Sequence, residues 1–141
     1  GVHSWFQRRR GVAILPGVGH LCLEIDGVDR PCNGFCHATP FHIRRLVAFS
    51  HQLRPGTKLL IHCWAGSSRS TAAALVAMAV MMSGKELEAA RSLMARALQT
   101  RPNGLMVMVA DEVMGPERGL VAAVEMMPGP MNVANLDRIR L

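Results

Sequence analysis

The chain has 141 residues, a formal net charge of +6 and a sequence pI near 10.1; half its residues are hydrophobic and 18% are charged. This is enough for one domain with one core, too little for two domains, and too apolar for a disordered chain. The longest apolar stretch, residues 72–82, falls well short of the ~20 residues of a membrane span, and the basic charge favours anionic partners.

Taken in chain order, residues 1–11 form a basic arm carrying Arg8, Arg9 and Arg10. Residues 12–15 and 20–25 read as short strands, the second alternating around Leu21, Leu23 and Ile25. A polar loop with Gly and Pro spans 26–38. Thr39-Pro40 starts a helix that runs to about residue 53, with Ile43, Leu46, Val47 and Leu53 as its buried stripe. Pro55-Gly56 turns the chain into a strand over 58–62. Helices are then predicted over 70–82, 85–98, 102–114 and 118–127, separated by Ser83-Gly84, Pro102-Asn103-Gly104 and Gly115-Pro116. Residues 128–141 form a tail. With no repeat and no linker, 1–141 reads as a single domain.

The chemistry concentrates in His62-Cys63-Trp64-Ala65-Gly66-Ser67-Ser68-Arg69-Ser70, between the apolar run Leu59-Leu60-Ile61 and an alanine-rich helix. A loop entering a helix N-terminus directs backbone N–H groups inward, and the helix dipole adds positive potential. Such a nest binds a phosphate dianion and lowers the pKa of a thiol within it. Cys63 is therefore expected as a thiolate nucleophile. Arg69 brings the planar fork that grips two phosphate oxygens.

These residues resemble the active-site loop of the protein tyrosine phosphatase superfamily: His-Cys, five residues, Arg, then Ser or Thr. His62, Cys63, Gly66, Arg69 and Ser70 all match. The apolar segment around 100–123 also looks like bacterial members of that family. The resemblance implies a small dual-specificity-type α/β domain, with a central, mostly parallel sheet flanked by helices. The first strand of such a sheet is not evident in residues 1–11. It further implies a cysteine-dependent phosphomonoesterase acting on phosphotyrosine or with dual specificity through a cysteinyl-phosphate. Cys63 would attack phosphorus, and the backbone from Trp64 through Ala65, Gly66, Ser67 and Ser68 to Arg69 would cradle the phosphoryl oxygens. Ser70 would stabilise the sulfur as a leaving group, and His62 would brace the loop. Neither metal nor cofactor is implied. The expected partners are a phosphorylated protein or other phosphomonoester, or an oxyanion in the loop; nucleic acid is not favoured.

The family's general acid is an Asp on a loop before the nucleophile. A direct overlay puts Gly27 at that position, with Asp26 just before it and Asp29 two residues after; Asp26 is preferred and Asp29 is the alternative. Two other functions stay open: a phosphate-binding pseudophosphatase lacking a working acid, and a phosphatase of RNA 5′ ends or phosphoinositides. Cys32, Cys36, His37 and His42 have a spacing within reach of a short-loop zinc site, but His42 falls in the predicted helix and the ligand order matches no zinc module, so they are assigned to ordinary loop and helix. The methionines are assigned to helix cores, whereas Trp64 either lines the entrance or packs beneath the loop. No secretory leader is recognisable, so reduced thiols and a cytoplasmic location are expected.

Overall fold

The computed structural model describes residues 17–97 and 100–127. Among the described residues five α-helices follow one another: α1 (Pro40–His51), α2 (Arg69–Met81), α3 (Glu86–Arg96), α4 (Gly104–Met114) and α5 (Leu120–Glu125). A 3-10 turn, Pro116–Arg118, joins α4 to α5. The helices start and stop within a few residues of the sequence expectation.

Helix α2 is the axis of the fold. Its sequence is apolar nearly all round, which suits a helix enclosed by neighbours, and α1, α3 and α4 pack against it. Ala72, Ala73 and Ala79 are fully buried, so their small side chains let those helices approach closely. Ile43 and Leu46 come from α1, Ala89, Ala90 and Leu93 from α3, and Met106, Val107 and Val109 from α4 to complete the core.

Polar groups tie the far end of the bundle. Glu86 is buried against Arg118, whose guanidinium also donates to Ala79 O at 2.8 Å, near the C-terminal end of α2. Burial alone would raise the Glu86 carboxyl, yet Arg118 and the Gly84 N–H hold it below its ordinary value. Asp111 accepts from Leu120 N and Val121 N at 2.9 Å each, so a side chain of α4 satisfies the first amides of α5.

The expected α/β architecture is not what forms. Among the described residues there is no strand and no sheet, so the central parallel sheet is overturned. The strand expected at 12–15 lies outside the described residues, as do the arm at 1–11 and the tail at 128–141. The alternation in 20–25 does appear as burial: Leu21, Leu23 and Ile25 enter the core, while Cys22 and Glu24 are half-buried. That pattern reports one side of an extended segment lying on the helices. It does not report the ladder of backbone hydrogen bonds that makes a strand. The run at 58–62 also departs from a central strand, because Leu60 is 74% exposed where a sheet covered on both faces would bury it.

Candidate active site

Cys63 to Ser70 forms a tight turn delivering the chain into α2, whose first residue is Arg69. Gly66 makes the turn possible, since its φ of 73° lies in the left-handed region that side chains rarely adopt. The loop is pinned from outside. Thr71 Oγ1 donates to both Ser67 O, at 2.6 Å, and Ser68 O, at 2.9 Å. Arg101 N adds a bond to Ser67 O at 2.9 Å, and Asn103 N one to Ser68 O at 3.1 Å. In a trans peptide the C=O and the following N–H point oppositely. Holding these two carbonyls outward therefore turns the N–H groups of Ser68 and Arg69 the other way. With the Ser67 and Ser68 carbonyls engaged and the amides of Ser68 and Arg69 directed away from them, this part of the turn is suited to an anion.

Cys63 is buried at the base of this turn, 7% exposed. Its Sγ accepts from Gly66 N at 3.3 Å and lies 3.3 Å from Ser70 Oγ, within hydrogen-bonding range for sulfur. Burial pushes the thiol up. The Ser70 hydroxyl, the Ser70 and Gly66 amides and the Arg69 charge outweigh it, and the thiol falls from an ordinary 9.0 to about 7. A large thiolate fraction at neutral pH follows.

Arg69 is half-buried, its Nη1 donating to Ile25 O at 2.9 Å, which joins the 63–70 turn to the start of the 26–38 loop. A Cβ at Gly27 would sit 3.5 Å from Arg69 Nε and 3.6 Å from Cζ. A side chain there would thus grow along the guanidinium, and glycine leaves that face uncovered. Asp26, Gly27, Val28, Phe35, Trp64 and Arg69 line one cleft of about 460 Å³, a size suited to a small organic ligand. Trp64 and Phe35 are each 55% exposed there, so Trp64 is at the entrance and not under the loop.

The two acid candidates separate. Asp26 is on the cleft wall with Arg69; its Oδ2 accepts from Cys36 N at 2.7 Å, while its own N donates to Cys36 O at 2.7 Å. Neither Asp29 nor the buried Cys63 is among the residues lining this cleft, and the Asp29 Oδ1 accepts from Asn103 Nδ2 at 3.2 Å. The structure thus brings Cys63, Gly66, Arg69 and Ser70 together, sets Asp26 beside Arg69, and turns Asp29 to a structural partner. His62 is half-buried next to Cys63, and Trp64, Ala65 and Gly66 form the exposed outer arc of the turn.

Among the described residues, Cys22, Cys32, Cys36 and Cys63 form no disulfide with one another. Cys32 Sγ donates to Arg30 O and Cys36 Sγ to Glu24 O, while His37 Nδ1 pairs with Ala38 O and His42 Nδ1 with Thr39. Among the described residues no three such side chains converge as metal ligands. Sequence reasoning missed Phe35, Thr71 and Asn103. The signal for Asn103 was its place before a helix, which marks an N-cap; its contacts with residues 28 and 29 left no trace in local spacing.

No protein-family model matches the chain, and neither a curated protein nor a solved structure matches it significantly. Among the described residues no helix is long and apolar enough to cross a membrane.

Proposed function

We propose that this protein is a cysteine-dependent phosphomonoesterase using the loop chemistry of protein tyrosine phosphatases. The observation that carries this reading is the geometry of Cys63, buried at the entry to α2 with Gly66 N and Ser70 Oγ each 3.3 Å from its sulfur, a setting that lowers the thiol to about 7. The Cys63 thiolate attacks phosphorus, the phosphorus–oxygen ester bond breaks, and its electron pair leaves with the departing oxygen. Asp26 supplies the proton to that oxygen. Water then attacks the cysteinyl-phosphate, giving its proton back to Asp26. The phosphorus–sulfur bond breaks, orthophosphate forms, and Ser70 helps stabilise the restored thiolate.

Throughout, the loop amides and Arg69 hold the equatorial oxygens, where fixed donors act most strongly on redistributing charge. The aromatic cleft walls, Trp64 and Phe35, favour aryl esters, so phosphotyrosine in a protein is the substrate class proposed. The test is hydrolysis of para-nitrophenyl phosphate without added metal, by the wild type and by Cys63→Ser. Turnover by the wild type alone is the expected result. A folded, reduced wild type that binds phosphate without turnover would make the protein a phosphate-binding module instead. Strong competition by RNA or phosphoinositide would move the substrate class away from phosphotyrosine.

A further inference from the structure

Asn103 is 1% exposed and uses every polar atom it has. Its backbone N donates to Ser68 O in the phosphate loop at 3.1 Å, and its backbone O accepts from Val107 N. Its side-chain Oδ1 accepts from Met106 N at 3.0 Å, capping α4. Its Nδ2 donates to Val28 O at 3.1 Å and to Asp29 Oδ1 at 3.2 Å, across more than seventy residues of chain. The partners fix the amide orientation, because Met106 N requires an acceptor and Val28 O requires a donor.

One buried side chain thus joins the phosphate loop, the first turn of α4 and the loop carrying Asp26. An N-cap alone needs only Oδ1. The two Nδ2 bonds are surplus to capping and act on Val28 and Asp29, the second and third residues after Asp26. We infer that Asn103 is a positioning residue, holding the acid loop at a fixed distance from the phosphate loop so that Asp26 reaches the leaving oxygen. This rests on the phosphatase reading of Cys63. Asp29 is, on this view, the receiving end of the tether and not a proton donor.

Asn103→Asp separates the two roles. An aspartate still caps α4 through a carboxylate oxygen, but it has no Nδ2 to give Val28 O or Asp29, and it repels Asp29. A misplaced acid costs most when the leaving group is poor. The ratio of kcat on para-nitrophenyl phosphate to kcat on an alkyl phosphate should therefore rise at least ~10-fold in Asn103→Asp. Adding Asp29→Asn reverses the donor and acceptor of the pair and removes one charge. It should restore most of that ratio, which a simple loss of stability would not.

An unchanged ratio in Asn103→Asp overturns the inference, and so does a raised ratio that the swap leaves raised. If the wild type turns over neither ester, the phosphatase reading fails by itself. Hydrogen exchange at residues 26–30 then decides the tether: faster exchange in Asn103→Asp, slowed again by the swap, supports it, and unaltered exchange overturns it. Should Asn103→Asp fail to fold, Asp29→Ala, at an exposed position, removes one tether bond. It should then speed exchange at 26–30 and raise the ester ratio; no change in either overturns the inference.

Discussion

The 63–70 loop and the 26–38 loop, proposed as phosphate loop and acid loop, are largely irregular backbone, and they are held in different ways. Residues 63–70 are fastened mainly at short range: Thr71 binds two loop carbonyls, Gly66 and Ser70 bind the sulfur, and the turn feeds a helix enclosed by three others, with Arg101 N and Asn103 N adding two longer-range bonds. Residues 26–38 are mostly exposed and are anchored at a few points: the Asp26–Cys36 pair, the Asn103 amide and the Arg69 bond to Ile25 O. On the proposed reading, the binding and nucleophilic groups sit on the more densely bonded loop, and the proton donor on the more exposed one, which is the one expected to open more readily. Damage to the first should reduce turnover of every ester. Damage to the second should grade with the leaving group.

The largest effects come from the stiff loop. Cys63→Ser should lower turnover by at least ~10⁴-fold on any ester, since an alcohol without a base is a poor nucleophile. Arg69→Lys keeps the charge but loses the fork and the geometry of the bond to Ile25 O, and should cost ~10²-fold or more in kcat/KM. Equal losses on aryl and alkyl esters would agree with the contrast; a loss confined to alkyl esters would break it.

Next come the carboxylates. Asp26→Asn should lower kcat by ~10²–10³-fold on an alkyl phosphate and much less on para-nitrophenyl phosphate. Asp29→Asn keeps a carbonyl acceptor for Asn103 Nδ2, so its effect should stay within a few-fold. Reversal of that order, measured on one alkyl ester, would transfer the acid role to Asp29 and undo the assignment of Asn103.

The same contrast explains what was legible in the sequence. Cys63, Gly66, Arg69 and Ser70 lie within eight residues, and their chemistry is set by local backbone, so their arrangement could be read directly. The helices were legible for a like reason, through apolar periodicity and the breaks at Ser83-Gly84 and Gly115-Pro116. The sheet was misread because alternation at Leu21, Leu23 and Ile25 records burial on one side, and pairing depends on segments far away in sequence. The choice between Asp26 and Asp29 was open for that reason too: Asn103, which engages one and leaves the other on the cleft, is more than seventy residues distant.

Smaller changes should sharpen the picture of the sulfur. Alkylation of Cys63 by iodoacetamide should rise with pH around a midpoint of about 7. Ser70→Ala removes a hydrogen bond that lowers the thiol, so the midpoint should move up towards the ordinary value. Because the folded thiol lies below its unfolded value, the thiolate adds stability at alkaline pH. That contribution is full above 9.0 and is lost as pH falls through about 7.

The smallest predicted effect concerns Trp64, and it tests where substrate class is decided. An aromatic contact beyond simple burial is worth ~0.5–1.5 kcal/mol, or ~2–12-fold in kcat/KM. Trp64 belongs to the phosphate loop by sequence, yet its side chain stands on the cleft wall with Phe35 of the acid loop. Trp64→Ala should therefore lower kcat/KM for a phosphotyrosine peptide by a factor in that range, and for a phosphoserine peptide by less, with the Cys63 alkylation midpoint unmoved. A shifted midpoint would mean that the indole supports the loop itself, and the division between a stiff catalytic turn and a separate aromatic entrance would fail at this residue.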